Sequence, residues 1–313
     1  MAVAAPDYRH QAMLYAGLDE FVAGTSRFIR EGLTRGEPTL VVVDGGKIER
    51  LRRELGRDAD AVRFANMADV GANPARIIPA WQSFVDEHRA SGRPLRGIGE
   101  PIYPERGPDE LVECQRHESL LNVAFANAPP FWLLCPYDTL AMPAAVIEEA
   151  QRSHPYVMQG TQQWASRSYR GLETEARWPL EAALPAADAE VAELAFDARS
   201  LSALRRLAAT EASRAGLPRE RVQDLVLAVS ELANNSLHHG GGRARARVWT
   251  QAGRLVCEVS DKGQIARALA DRERPPDGVE GARGLWLVNQ LCDLLQLRAT
   301  AQGTVARLHM RRG

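Results

Sequence analysis

The run Glu231-Leu-Ala-Asn234-Asn235-Ser-Leu-His238-His239 brings a carboxylate, two amides and two imidazoles together in one short segment. Residues four apart share a helix face, so Glu231, Asn235 and His238/His239 form one stripe while leucines and valines take the other side. A carboxylate beside an amide oxygen is a hard-donor pair suited to Mg²⁺, and the carboxylate can also act as a general base. Taken alone, the same stripe equally suits a solvated helix end stopped by Asn-Asn. Two later segments add to it. Leu255, Cys257 and Val259 alternate inward along a strand, which puts Asp261 on the core-facing side. A carboxylate there needs donors, and the exocyclic amine of adenine is a suitable one. Gly281-Ala282-Arg283-Gly284-Leu285 then opens an apolar helix, where backbone N–H groups can approach phosphates.

In this order and at these spacings, 191–313 resembles the GHKL (Bergerat) ATP-binding domain, and within it the anti-sigma-factor serine kinases of the RsbW and SpoIIAB type. The resemblance rests on Glu231…Asn235 as E-x-x-x-N, Asp261…Gly263 as D-x-G, Arg283 to Val288 as the lid-end R-G-L-x-L-V, and Gly303-Thr304-Val305 as the terminal G-T box. It implies Glu231 as the base, Asn235 as the Mg²⁺ ligand, and Asp261 and Thr304 at adenine. It also implies Asn234, His239, Gly263, Gly281, Arg283, Gly284 and Leu285 around the nucleotide, with Gln264–Glu280 as the lid. Ile265 stands where the histidine-kinase form has a second glycine, and Ala282 interrupts the last glycine box. The cofactors implied are ATP/ADP and Mg²⁺. The partners implied are a STAS-type anti-sigma-factor antagonist and a sigma factor.

The first half has weaker chemical signals. Asp44-Gly45-Gly46-Lys47 follows a strand, but Ile48 stands where a P-loop needs a hydroxyl, so a plain strand–helix turn is expected. Cys114-x-x-His117, Cys135 and His154 lack a second close pair and are expected as core or surface residues rather than as metal ligands. Arg116-His117-Glu118 opens like a phosphoacceptor box but lacks the proline, which makes a sensor histidine kinase the least favoured reading. Residues 8–170 resemble the MEDS sensory domain, a RecA-like module. The matching pieces are His10…Leu14-Tyr15, Gly32-Leu33, Gly36-Glu37, Asn73-Pro74-Ala75-Arg76, Gly99-Glu100-Pro101, Arg116-His117-Glu118, Leu121-Asn122 and Cys135-Pro136-Tyr137-Asp138. Signal sensing, with a small ligand or a protein signal, is what this resemblance implies. Glu100, Glu118, Asn122, Tyr137 and Asp138 fall near the ends of expected elements, where α/β folds bind ligands. The same polar residues would also serve to satisfy buried backbone.

Two domains must position these residues, since 313 residues exceed one ordinary domain. The first, 1–178, alternates strands and helices and is expected as an α/β layer with a mostly parallel sheet. Thr39–Val43, Val62–Phe64, Leu95–Ile98 and Phe131–Cys135 read as its strands. Residues 179–190, with two prolines, are expected as the linker. The second domain, 191–313, is expected as an α+β sandwich, with a hairpin turning at Gln251-Ala252-Gly253, a helix over Leu285–Leu295 and a last hairpin of Leu297–Thr300 with Val305–Met310. Hydrophobic residues make up 45% and charged residues 25%, as in ordinary globular proteins. The formal net charge of −1 offers no global field for nucleic acid or an anionic membrane. Four cysteines in this length do not make a disulfide framework, and a cytoplasmic location is expected. The expected function is a signal-responsive protein serine/threonine kinase controlling a sigma factor, possible as a homodimer. The alternative is a non-catalytic, nucleotide-dependent binding switch.

Overall fold

The computed structural model describes residues 8–177, 180–265, 267–274 and 283–312. Gly281 and Ala282, expected at the phosphates, lie outside the described residues. The chain divides into two compact units, Met1–Ala176 and Arg177–Gly313.

The first unit runs β1 (Tyr8–Tyr15), α1 (Gly17–Thr34), β2 (Thr39–Val43), α2 (Gly45–Leu55), β3 (Arg63–Asn66), α3 (Met67–Val70), α4 (Ile77–His88) and β4 (Leu95–Gly99). It continues through α5 (Pro108–Ala124), β5 (Phe131–Asp138), α6 (Ala144–Ser153), β6 (Tyr156–Gln159), β7 (Gln162–Ala165) and α7 (Leu172–Arg177), which meets the unit boundary. The strand order is β3-β2-β4-β5-β1-β6-β7. Every pairing is parallel except β6 with β7. β2 is buried at all its positions, as its continuous apolar run requires. Asp44 then caps α2 by accepting from the Lys47 amide at 3.0 Å, so the strand–helix turn is an N-cap. β1 lies between β5 and β6. The sequence pattern does not announce it, because polar His10 and Gln11 interrupt its apolar run.

The second unit contains β8 (Ala192–Phe196), α8 (Leu201–Arg214), α9 (Arg219–His239), β9 (Ala244–Gln251), β10 (Arg254–Asp261), α10 (Gly284–Leu291), β11 (Leu294–Thr300) and β12 (Gly303–Arg311). Its sheet is antiparallel in the order β11-β12-β10-β9-β8. Leu204, Ala208, Leu225, Val229 and Val288 from the helices pack with Ala246, Val248, Leu255, Cys257, Val259, Leu297 and Leu308 from the sheet. The helix expected over Leu285–Leu295 ends at Leu291, and β11 begins at Leu294. Asp293 explains the break. Its Oδ2 accepts from Arg221 Nη2 at 2.7 Å and from the Arg311 amide at 2.6 Å, which draws the chain onto the sheet. Leu295 and Leu297 then alternate into the core as strand residues.

The proline-bearing segment expected as a linker lies against the second unit. Leu180 is buried, and its carbonyl accepts from the Ala299 amide at 2.8 Å. The Pro185 carbonyl accepts from Arg307 Nη2, also at 2.8 Å.

Candidate functional site

α9 starts behind Pro218 and stops at Gly240. Leu225, Val229, Leu232 and Ala233 anchor one side of it in the core. The other side presents Asn235, Ser236 and His239 to a cavity of about 390 Å³. Asp261, Gly263 and Gln264 from the end of β10 and the turn after it join them, as does Thr304 from β12. Leu232, Ile265, Leu285, Leu297 and Ala306 supply apolar wall.

Asp261 lines the cavity, half-buried, with both oxygens engaged. Oδ2 accepts from Ser236 Oγ at 2.5 Å, and Oδ1 accepts from the Gly263 amide at 2.7 Å. Each carboxylate oxygen can accept more than one hydrogen bond, so this brace leaves capacity for a further donor. Thr304 faces Asp261 across the β10–β12 pairing and donates from Oγ1 to the Gly263 carbonyl at 2.9 Å. The turn tolerates only glycine at 303: φ is +124°, and a Cβ would stand 1.9 Å from the Asp261 carbonyl oxygen.

Glu231 and Asn235 meet beneath the start of α10. A Cβ on Gly284 would lie 3.1 Å from the Asn235 amide nitrogen and 3.2 Å from Glu231 Oε2, so this glycine lets the helix start close over both groups. Asn235, His239, Asp261, Gly263, Leu285 and Thr304 of the expected set therefore line one cavity, with Glu231 and Gly284 beside it. Asn234 is half-buried and does not line it. Arg283 is exposed, does not line it, and serves as the residue before α10 whose carbonyl accepts from Leu287. Ser236 was not legible in the sequence, because nothing in the pattern marks it as the donor that orients Asp261. The walls Ile265, Leu297 and Ala306 come from segments whose meeting only the fold defines.

The residues present fit a nucleotide: apolar walls for a planar base, a braced carboxylate among them, and a carboxylate–amide pair at the start of α10.

The five polar residues expected as a sensory pocket do not form one cluster. Glu100, just after β4, accepts from Tyr15 Oη at 2.6 Å and from Lys47 Nζ at 2.6 Å. Burial pushes the Glu100 carboxyl up, against the opposing pull of Lys47. Burial and the Glu100 charge push the Tyr15 phenol up as well. Glu118 and Asn122 instead meet His10, at 3.1 Å each. The Tyr137 ring lies edge-on to His154, 5.6 Å between centroids, and among the described residues its buried hydroxyl has no hydrogen-bond partner. Asp138 Oδ1 accepts from the amides of Gly17 and Leu140 and so closes a turn. Cys114 donates toward the Pro101 carbonyl at 3.4 Å.

A mostly parallel α/β layer is followed by an antiparallel sheet under helices, with this cavity lined by α9 and the sheet, the architecture of a GHKL-type ATPase domain. Residues 9–155 match the family described as MEDS, the methanogen/methylotroph DcmR sensory domain. Residues 194–310 match the family described as the histidine kinase-like ATPase domain. The chain thus carries a MEDS domain and a histidine kinase-like ATPase domain. No curated protein matches it. Among solved structures it is similar to the RsbU and RsbW domains of a Mycobacterium tuberculosis protein, at 19% identity and a TM-score of 0.31. That match covers 39% of this chain and 32% of the other, about a third of its length. Among the described residues, no helix is long and apolar enough to cross a membrane.

Proposed function

We propose that the second unit is a protein serine/threonine kinase that phosphorylates a STAS-type anti-sigma-factor antagonist, and that it controls a sigma factor by an alternative grip on it. Bound Mg·ATP supplies the phosphoryl group, and transfer of this kind depends mainly on positioning and charge stabilisation. Glu231 takes the proton of the substrate hydroxyl, and the Asn235 amide oxygen offers a hard ligand to Mg²⁺. Asp261 accepts from the adenine amine while Ser236 and Gly263 hold its orientation. Thr304 holds the Gly263 turn beside it. The start of α10 at Arg283, Gly284 and Leu285 caps the phosphate end.

The observation that carries this reading is the convergence of three distant segments, around 235, 261 and 304, on one cavity with Glu231 at its edge. A second reading has its own support: Ile265 fills part of the wall where a glycine would leave room. On that reading the nucleotide only shapes a docking surface. The test incubates the full chain with labelled ATP, Mg²⁺ and candidate antagonists and maps any phosphorylated residue. Phosphoserine or phosphothreonine on the antagonist supports the kinase. Partner binding that needs nucleotide but yields no phosphate supports the switch, and phosphohistidine on this chain overturns both.

A further inference from the structure

Four side chains that the kinase chemistry does not use meet inside the first unit. His10 on β1, Glu118 on α5, Cys135 on β5 and His154 just after α6 are each 1% exposed or less. One potential ligand atom from each lies within 4.8 Å of all the others.

Their hydrogen bonds decide where the protons are. Asn122 Nδ2 donates to the Ser153 carbonyl at 2.7 Å, so Asn122 Oδ1 is the atom turned toward His10 Nδ1 at 3.1 Å. His10 Nδ1 must therefore carry its hydrogen. His154 Nδ1 lies 2.8 Å from the Ala150 carbonyl, which fixes the same tautomer. In both neutral rings Nε2 is then a bare lone pair. Yet both Nε2 atoms face Glu118 Oε2, at 3.1 and 3.3 Å. Lone pairs set against a carboxylate oxygen in a dry interior repel unless a positive charge lies between them. The Cys135 thiol, with Sγ 3.4 Å from His10 Nε2, brings one proton to that nitrogen. Among the described residues, His154 Nε2 and Glu118 Oε1 still lack hydrogen-bond partners.

We propose that this tetrad binds a divalent transition-metal ion of the zinc class, through His10 Nε2, His154 Nε2, the Glu118 carboxylate and the Cys135 thiolate. The spacing suits it: bonds of about 2.0–2.3 Å in a tetrahedron separate ligand atoms by roughly 3.3–3.8 Å. Three of the six separations are 3.1, 3.3 and 3.4 Å, and all lie within 4.8 Å, so side-chain shifts of an ångström or so bring the four atoms to the ion. Two nitrogens, one oxygen and one sulfur form a borderline donor set, which favours zinc over magnesium or calcium. Binding releases the thiol proton to solvent, and the ion's two charges are then balanced by one carboxylate and one thiolate. Asn122 and the Ala150 carbonyl hold the rings from behind, as outer partners of metal-bound imidazoles do. Four protein ligands complete a closed, structural site that clamps β1, α5, β5 and the end of α6 together.

The experiment strips the full chain of metal under reducing conditions and titrates it with Co²⁺, then displaces that ion with Zn²⁺. One Co²⁺ per chain is expected, with a tetrahedral visible spectrum and a thiolate-to-cobalt charge-transfer band. Cys135→Ser should abolish that band, and His154→Gln should weaken binding by tenfold or more. A hydrated octahedral spectrum, or a charge-transfer band that survives Cys135→Ser, overturns the proposal. Should either variant fail to fold, the wild-type chain decides by itself. A melting temperature raised by Zn²⁺ and lowered by a chelator supports the site, and indifference to both sinks it.

Discussion

Glu231 and Asp261 do different work, so their replacements should fail differently. Glu231→Ala removes only the proton acceptor: nucleotide affinity should stay near wild type while phosphate transfer is abolished. Asn235→Ala removes the metal-facing amide and should weaken Mg·ATP itself. Wild-type transfer rates in both variants, measured on a validated substrate, would overturn the assignment. Asp261→Asn keeps the shape but turns one acceptor oxygen into a donor. Loss of a charge-assisted buried hydrogen bond costs about 1.5–3 kcal/mol, or tenfold and more in affinity. Calorimetry with ADP and ATP on the folded variant reads this directly, and unchanged affinity would remove Asp261 from the adenine pocket. Legibility at this scale followed sequence spacing. Glu231, Asn235 and Asp261 were readable because four-residue helical spacing and strand alternation fix which way each points. Ser236 and the tetrad of His10, Glu118, Cys135 and His154 were not, because their partners lie far away in sequence.

Three elements meet where Tyr15, Lys47 and Glu100 join β1, α2 and the end of β4. Lys47→Met would leave Glu100 buried without its cation. That should destabilise the first unit toward the lower end of about 3–5 kcal/mol, because Lys47 itself keeps some contact with water. Adding Glu100→Gln should recover much of the loss, and urea unfolding of both variants measures it. A single variant as stable as wild type would show that the pair does not hold these elements. Some segments announced themselves in the sequence: β2 by its unbroken apolar run, α9 by the helical spacing of Val222, Leu225, Val226 and Val229. The four-residue β3 was found, but other short or polar-bearing strands were not. β6 and β7 have four residues each, and β1 carries buried His10 and Gln11. The end of α10 was misplaced because Leu294, Leu295 and Leu297 prolong an apolar pattern that fits helix or strand, and only Asp293 and its arginine partner settle which.

At the scale of the whole molecule, the contacts of Leu180 and Pro185 bear on where the second unit can be cut. A fragment beginning at residue 180 should unfold at higher urea than one beginning at 191, since burying one leucine contributes about 1.5–3 kcal/mol. Equal midpoints would show that the segment adds nothing. If the first unit regulates the second, nucleotide or partner affinity should differ between the longer fragment and the full chain, by a coupling of about 1–3 kcal/mol. Identical titration curves, with and without cell extract or candidate ligands, would make the first unit a tether. The placement of β1 has a consequence in time. His10 must find Glu118 and Cys135 across separations of 108 and 125 residues, and β1 is the strand that joins β5 to β6. Because both of its sheet partners come later in the chain, β1 is an orphan until β5 and β6 emerge from the ribosome, so the sheet closes late, and contacts of such long range slow folding. Any ion held by the tetrad would enter only at that closing step, which makes its capture a report that the first unit has finished folding.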